Sequence, residues 1–170
     1  MAQLVSRMVG AARFDAESYE AVEADTTANG SAVGVVILSS MATAIGAGAV
    51  DMRSLVGLLA VAFLSWMVWV MLTLFIGSRL LPEKNTVVDF GQLLRTTGFS
   101  ASIGILRVFG VLPVIGKIIF AIVTIWMLLT FVVAIRQALD YTSTARAFAV
   151  CILGWVIHGI LLFGLTRVVV

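Results

Sequence analysis

The chain has 170 residues, of which 61% are hydrophobic and only 12% are charged, whereas charged residues make up about a quarter of an ordinary soluble domain. A soluble fold of this size could not bury so much apolar surface without large exposed patches, so a water-soluble globular protein is excluded. The net charge of +2 comes from scattered basic residues and there is a single cysteine, which excludes a nucleic-acid-binding module, a disulfide framework and a cysteine metal site.

Residues 1–30 form an N-terminal segment that is predicted to lie at the membrane interface. Leu4, Val5 and Met8 recur at helical spacing beside Arg7, which predicts a short interfacial helix. A second short helix with carboxylates along one side follows it. This acidic run indicates either an ordinary solvated helix face or a docking surface for a partner with basic residues. Its candidate contacts are Tyr19, Glu20, Glu23 and Asp25.

Residues 31–170 contain five apolar segments that we interpret as membrane spans. A transmembrane helix needs about 20 mostly apolar residues, because nothing else satisfies the backbone inside hydrocarbon. The third segment is shorter, and the connection 78–97 before it has an apolar face typical of an interfacial helix. We therefore predict an all-α, polytopic membrane protein: a five-transmembrane-helix bundle with N-terminal interfacial helices. The predicted spans are 31–50, 55–77, 98–112, 117–135 and 146–166.

The basic residues in the short connections predict the orientation of this bundle. Loops rich in Lys and Arg stay in the cytoplasm. With the N-terminus inside, seven basic residues face the cytoplasm and three face outside, which favours a cytoplasmic N-terminus and an external C-terminus. The inner group is Arg7, Arg13, Arg79, Lys84, Arg95, Arg136 and Arg146, and the outer group is Arg53, Lys117 and Arg167.

Two basic side chains, those of Arg107 and His158, fall well inside predicted spans. Arg107 lies in the third span, where a charge is costly unless it is paired or reaches the headgroups; the alternatives are snorkelling from an outer end or pairing with Asp89, Asp140 or a loop carbonyl. His158 lies in the fifth span and is the only histidine. It is a weak candidate for a cofactor ligand, and an interhelical hydrogen bond is the simpler interpretation.

The most polar interior connection surrounds Arg136 and Asp140. Asp140 could pair with Arg136 at four-residue spacing or cap the fifth span. This region, together with Arg95 and Lys84, could also form a lipid-headgroup or partner site. Small residues such as Gly34 dominate the first span, and Gly30 and Gly34 stand four residues apart. This indicates close helix packing inside the bundle or in a homo-oligomer.

Three stretches of the chain resemble a known membrane family. They are FDAESYEAVEADTTANGSAV from Phe14, FGQLLRTTGFSASIGILRVFGVLPVIG from Phe90 and IWMLLTFVVAIRQALDYTSTARAFAVCILGW from Ile125. In this order they are similar to prokaryotic members of the Yip-domain (Ypt/Rab-interacting protein) family of integral membrane proteins. Residues 98–103 depart from the glycine-tyrosine and proline motif of the eukaryotic members, since Phe99 and Ile103 stand at its tyrosine and proline. The resemblance implies five spans, a cytoplasmic N-terminus and a role in membrane organisation or trafficking.

The expected function is therefore non-enzymatic: a Yip-like protein of the prokaryotic inner membrane that scaffolds partners or shapes the membrane. The expected partners are membrane lipids and other membrane proteins or a second copy of the chain, without nucleic acid, metal or cofactor. One alternative is a small transporter, channel or lipid-moving protein with a polar path near Arg107 and His158. Another is an accessory subunit of a larger respiratory or photosynthetic complex.

Overall fold

A computed structural model describes residues 2–48, 51–84 and 86–169, and every regular element within them is helical. The seven α-helices are α1 (Ala2–Ala12), α2 (Ala16–Ala24), α3 (Asn29–Gly46), α4 (Met52–Phe75), α5 (Phe90–Ser100), α6 (Ile115–Ala138) and α7 (Thr144–Val169). Three shorter pieces extend them: a 3-10 turn at Thr26–Ala28, a π-helical turn at Ile76–Leu80 and a 3-10 helix at Ala101–Val111. The predicted all-α fold class is confirmed for these residues.

Four helices are long and apolar enough to cross a membrane. They are Thr26–Gly46, Met52–Leu80, Ile115–Ala138 and Thr144–Leu161. Large apolar side chains cover their outer faces, among them Leu64 (63% exposed), Ile125 (61%) and Ile160 (65%). Because such surfaces are suited to lipid rather than water, the prediction of a multi-pass membrane protein is confirmed at this level.

The helix α5 and the 3-10 helix after it follow each other without a break. We call residues 90–111 the central segment. It begins at Phe90, where Asp89 accepts a hydrogen bond from the Gln92 backbone N–H (2.8 Å) and Gln92 accepts one from that of Asp89 (2.7 Å). This capping box starts the helix. Residues 93–104 are buried by the surrounding helices. From Phe90 on, the connection 78–97 that was predicted as an interfacial helix is therefore the buried beginning of the central segment.

The closest helix crossing brings backbone against backbone at three glycines. A Cβ on Gly46 would lie 1.9 Å from the Arg107 carbonyl oxygen, and one on Gly116 would lie 2.3 Å from that of Gly110. Glycine is therefore required where α3, the central segment and α6 meet. Gly34, by contrast, has open space around its Cβ position.

The antiparallel helices give the bundle two ends. At the polar end α2 finishes, α3 and α5 begin, and the α4–α5 connection meets the α6–α7 connection; the opposite end, next to residue 51, is called the Asp51 end. The helices α1 and α2 pack against the bundle: Ser102 donates to the Met8 carbonyl (2.9 Å) and Trp126 to that of Ala12 (2.9 Å). Their placement at a membrane interface stays a prediction.

Candidate functional site

Tyr19 joins α2 to the rest of the bundle. Its side chain is fully buried, and its hydroxyl lies 3.1 Å from the carbonyl oxygen of Ala11 and 3.2 Å from that of Thr130. These acceptors belong to α1 and α6, so one phenol connects three helices. Burial raises the pKa of Tyr19 above its usual value, and the hydroxyl therefore keeps its proton and stays a donor.

Arg95 fixes the carboxyl end of α2. Although it is charged, Arg95 is only 4% exposed. Its Nε lies 3.1 Å from the carbonyl oxygens of both Val22 and Glu23, its Nη2 also donates to Glu23, and its Nη1 donates to Asn29 Oδ1 (3.0 Å). The last carbonyls of a helix lack partners within it and carry partial negative charge. A guanidinium from the central segment supplies both the donors and the opposite charge.

Asp25 links the two N-terminal helices just beyond α2. It accepts a hydrogen bond from Arg7 Nη2 at 2.7 Å and further ones from the backbone and hydroxyl of Thr27. The hydrogen bonds from Thr27, followed by that from Arg7, lower the pKa of Asp25 to about 2. Asp25 therefore stays ionised, and its contacts serve the hairpin formed by α1 and α2.

A polar cavity of about 420 Å³ opens beside α2 at this end of the bundle. It brings together residues from α2, α5, α6 and the α6–α7 connection, which are far apart in sequence. We call it the acidic cavity. Its lining residues are Glu20, Glu23, Ala24, Gln92, Arg136, Gln137, Asp140 and Tyr141.

The two α2 carboxylates in the acidic cavity each receive one side-chain amide. Gln92 donates to Glu23 at 2.9 Å and Gln137 donates to Glu20 at 3.2 Å. Burial, then the nearby charge of Asp140, raises the pKa of Glu23 to about 7 against the partial opposition of Arg95. Glu23 can therefore gain or lose a proton near neutral pH.

Asp140 reaches the acidic cavity because it terminates α6 in a left-handed conformation, with φ of 51°. The Asp140 N–H donates to Gln137 O (2.9 Å) and the Tyr141 N–H to Arg136 O (2.9 Å), which together form a Schellman motif. Arg136 donates its Nε to the Tyr141 carbonyl at 3.3 Å. Among the contacts of the described residues, Asp140 makes neither the predicted pair with Arg136 nor the predicted cap on α7.

Tyr141 attaches the α6–α7 connection to the end of α4. The side chain is 3% exposed, and its hydroxyl lies 2.9 Å from Gly77 O and 2.7 Å from Leu81 O. Burial raises the pKa of Tyr141 to about 12, so this phenol is a permanent donor at physiological pH. One wall of the acidic cavity is thereby held to a second helix.

Glu83 makes the matching attachment from the α4–α5 connection. Its carboxylate accepts from the Thr142 backbone (2.9 Å) and hydroxyl (2.8 Å), and it lies 3.5 Å from Arg146. These hydrogen bonds, those from Thr142 first, lower the pKa of Glu83 below its usual value. Polar contacts thus tie together the connections around the acidic cavity.

The acidic cavity offers three carboxylates and one guanidinium, together with two amides and a phenol. Negative charge in excess at a partly enclosed site attracts cationic groups. Within the part of the chain that the structure describes, no group of three or more His, Cys, Asp or Glu residues is arranged to hold a metal ion. Carboxylate oxygens can accept hydrogen bonds from a cationic group such as a lysine or arginine side chain.

Arg107 and His158 lie away from the acidic cavity. Arg107 donates to the Thr124 hydroxyl at 2.9 Å and its guanidinium carbon lies 4.8 Å from the centre of the Phe120 ring, both on α6. His158 is half-buried on α7, and its Nδ1 has no hydrogen-bond partner among the described residues. Neither of the carboxylates considered for Arg107 is among its contacts.

Sequence reasoning gathered four of the lining residues as candidates, namely Glu20, Glu23, Arg136 and Asp140, and it missed the two amides. Gln92 lies one turn before Arg95 and Gln137 directly follows Arg136, so adjacency to a candidate was the only signal for either.

Comparisons with protein-family models, with curated proteins and with solved structures find no match to this chain.

Proposed function

We propose that this chain is a non-enzymatic, Yip-like scaffold of the membrane, and that its acidic cavity docks a basic segment of a cytoplasmic or membrane partner. The observation that carries the proposal is the convergence of Glu20, Glu23 and Asp140 on one cavity whose walls are fixed by buried hydrogen bonds. A rigid, preorganised site loses little conformational entropy on binding. The carboxylates of the cavity would attract the basic side chains of a cationic peptide. The positive charge of Arg136 would repel them at one point, and this would favour one position of the peptide over others.

The proposed topology has five crossings, with the polar end in the cytoplasm of a prokaryotic cell. The central segment supports the fifth crossing, because eleven α-helical and eleven 3-10 residues reach about 38 Å at roughly 1.5 and 2.0 Å per residue, more than the about 30 Å of a hydrocarbon core. The low hydropathy of its first half fits a helix surrounded by other helices rather than lipid, since residues 93–104 are buried. The excess of Lys and Arg at the polar end supports the orientation.

The docking proposal is tested by photocrosslinking from position 21, an exposed residue of α2, in living cells. We expect crosslinks to a partner with a basic segment, and we expect Glu20→Gln with Asp140→Asn to abolish them. Glu17→Gln is the matched control, since Glu17 is an exposed acid on the same helix that does not line the cavity. Crosslinks that persist after neutralisation of the cavity would contradict the proposal. Deletion of residues 1–30 is a poor test, because it removes the buried Tyr19.

A second candidate function, a small transporter, channel or lipid-moving protein, is favoured by a cavity beside Arg107 within the bundle. Flux of solute or lipid in liposomes with the wild-type chain, Arg107→Gln and His158→Ala tests it. Flux that depends on Arg107 would support this function, and flux equal to that of protein-free liposomes would remove it.

A further inference from the structure

A second cavity lies inside the bundle, about halfway along the helices. It measures about 160 Å³, is partly open, and is lined by residues of α3, α4, the central segment and α6. We call it the inner cavity. Its lining residues are Val36, Ser39, Ser40, Thr43, Ala62, Trp66, Ala101, Arg107, Met127 and Phe131.

Two N–H groups carried by lining residues have no acceptor in the described chain. The Trp66 side chain is 8% exposed, and its Nε1 atom is buried without a hydrogen-bond partner. The Nε atom of Arg107 is also buried without a hydrogen-bond partner. Both groups can only donate. An unsatisfied donor away from water costs about 1–3 kcal/mol, and such groups are rare enough in folded proteins that each calls for an acceptor.

Hydroxyl groups add to this set of donors. Ser39 and Ser40 line the inner cavity, and Thr43 lines it while donating to the Ser39 carbonyl at 2.8 Å. Ser39 sits against Gly104, where a Cβ would come within 2.1 Å of its Oγ. The glycine thus lets this hydroxyl approach the central segment closely.

The inner cavity also has an uncompensated positive charge. The contacts of the Arg107 guanidinium are a hydroxyl and an aromatic ring, both uncharged. None of the residues lining the cavity is acidic, and the ion pairs found in the described residues are Arg7–Asp25 and Arg146–Glu83. A cation within the membrane is costly unless an opposite charge or water meets it.

We propose that the inner cavity binds a small monovalent anion of the chloride class. Such an ion supplies both missing elements, a negative charge for Arg107 and an acceptor for Trp66, while the serine hydroxyls replace part of its hydration shell. The volume is large enough for a halide with a few waters. This site is separate from the acidic cavity, so it stands or falls independently of the docking proposal.

The test measures the thermal stability of the purified full-length chain while sodium chloride replaces sodium gluconate at constant ionic strength. A ligand that binds only the folded state raises the unfolding temperature with its concentration. We expect a saturable rise for the wild type and none for Arg107→Gln. Trp66→Phe keeps the ring and removes the donor, and it should weaken the apparent affinity about tenfold, the effect of losing one hydrogen bond to a charged group.

Trp69→Phe is the matched control. Trp69 is on the same helix and also has a buried, unpartnered Nε1, but it does not line the inner cavity. Its replacement should leave the chloride dependence unchanged. Anomalous scattering from crystals grown in bromide should place one ion between residues 66 and 107 in the wild type, and this readout does not depend on any variant folding. A chloride effect that survives in Arg107→Gln, an equal loss in both tryptophan variants, or water alone at the site would overturn the proposal.

Discussion

Glu23 couples the folded state to pH. Its pKa is about 7 in the folded chain against an ordinary value of 4.5, chiefly because of burial. The folded chain therefore binds the Glu23 carboxyl proton more tightly than the unfolded chain does. The contribution of Glu23 to the free energy of unfolding is fully present below pH 4.5 and is lost as pH rises from 4.5 to about 7. We expect Glu23→Gln to remove this part of the pH dependence and to raise the unfolding temperature at pH 8.

The neighbour Asp140 provides the control for that measurement. Its negative charge is the second cause of the raised Glu23 pKa, so Asp140→Asn should lower the pKa of Glu23 and move the pH dependence to more acidic values. Asparagine tolerates the left-handed conformation that residue 140 adopts. The backbone is then unstrained, and a pH profile identical to that of the wild type would contradict the coupling.

Arg95 is the residue whose loss should destabilise the N-terminal hairpin most. Replacement by methionine keeps the aliphatic stem and leaves the buried carbonyls of Val22 and Glu23 without donors. We expect a loss of about 3 kcal/mol in the free energy of unfolding. Lys84→Met is the control, because Lys84 is an exposed cation at the same end of the bundle; an equal loss there would mean that general surface charge, rather than capping of α2, matters.

The candidate site could be predicted from the sequence only in part. The acids of α2 and the polar α6–α7 connection stand out locally as charged residues in an apolar chain. The hydrogen bond from Gln137 to Glu20, by contrast, joins residues 117 positions apart. No helical or strand period relates such positions, so the acidic cavity emerges only when α2 is packed across α6.

At the scale of the helices, the crossing of α3 and the central segment depends on Gly46. A methyl group there would meet the Arg107 carbonyl oxygen, which is backbone and cannot turn away. We expect Gly46→Ala to lower the free energy of unfolding by about 1–3 kcal/mol, as overpacking does. Denaturant titration of the full chain in micelles measures this.

Gly34→Ala on the same helix is the paired comparison. Its Cβ position is open, so the better helix propensity of alanine should leave stability unchanged or raise it by up to about 1 kcal/mol. If both substitutions had the same effect, helix propensity rather than the close backbone approach would explain the result.

High hydropathy predicted the long helices whose outer faces are apolar. The hydropathy at the beginning of the central segment is too low to predict that helix in the same way, because residues 93–104 are buried against other helices. The predicted span 117–135 falls within Ile115–Ala138, and 55–77 overlaps Met52–Phe75 and its π-helical extension. The third predicted span begins at residue 98, whereas the central segment begins at Phe90 and includes the polar residues Arg95 and Thr96. Both are buried against other helices, where hydrogen bonds rather than apolar character satisfy the solvation requirement.

For the whole molecule, the number of crossings decides whether the two ends face different compartments. Residues 84 and 114 flank the central segment, and both are exposed. With Cys151, which is buried, replaced by alanine, single cysteines at 84 and 114 can be labelled by a membrane-impermeant maleimide in intact and in inverted vesicles. If the central segment crosses, the two positions react in opposite preparations. Position 84 reacts in the inverted one if the Lys- and Arg-rich polar end is cytoplasmic, as we propose. A cysteine at position 52, exposed at the Asp51 end, should behave as 114 does; reaction of 84 and 114 in the same preparation would leave four crossings and contradict the proposed topology.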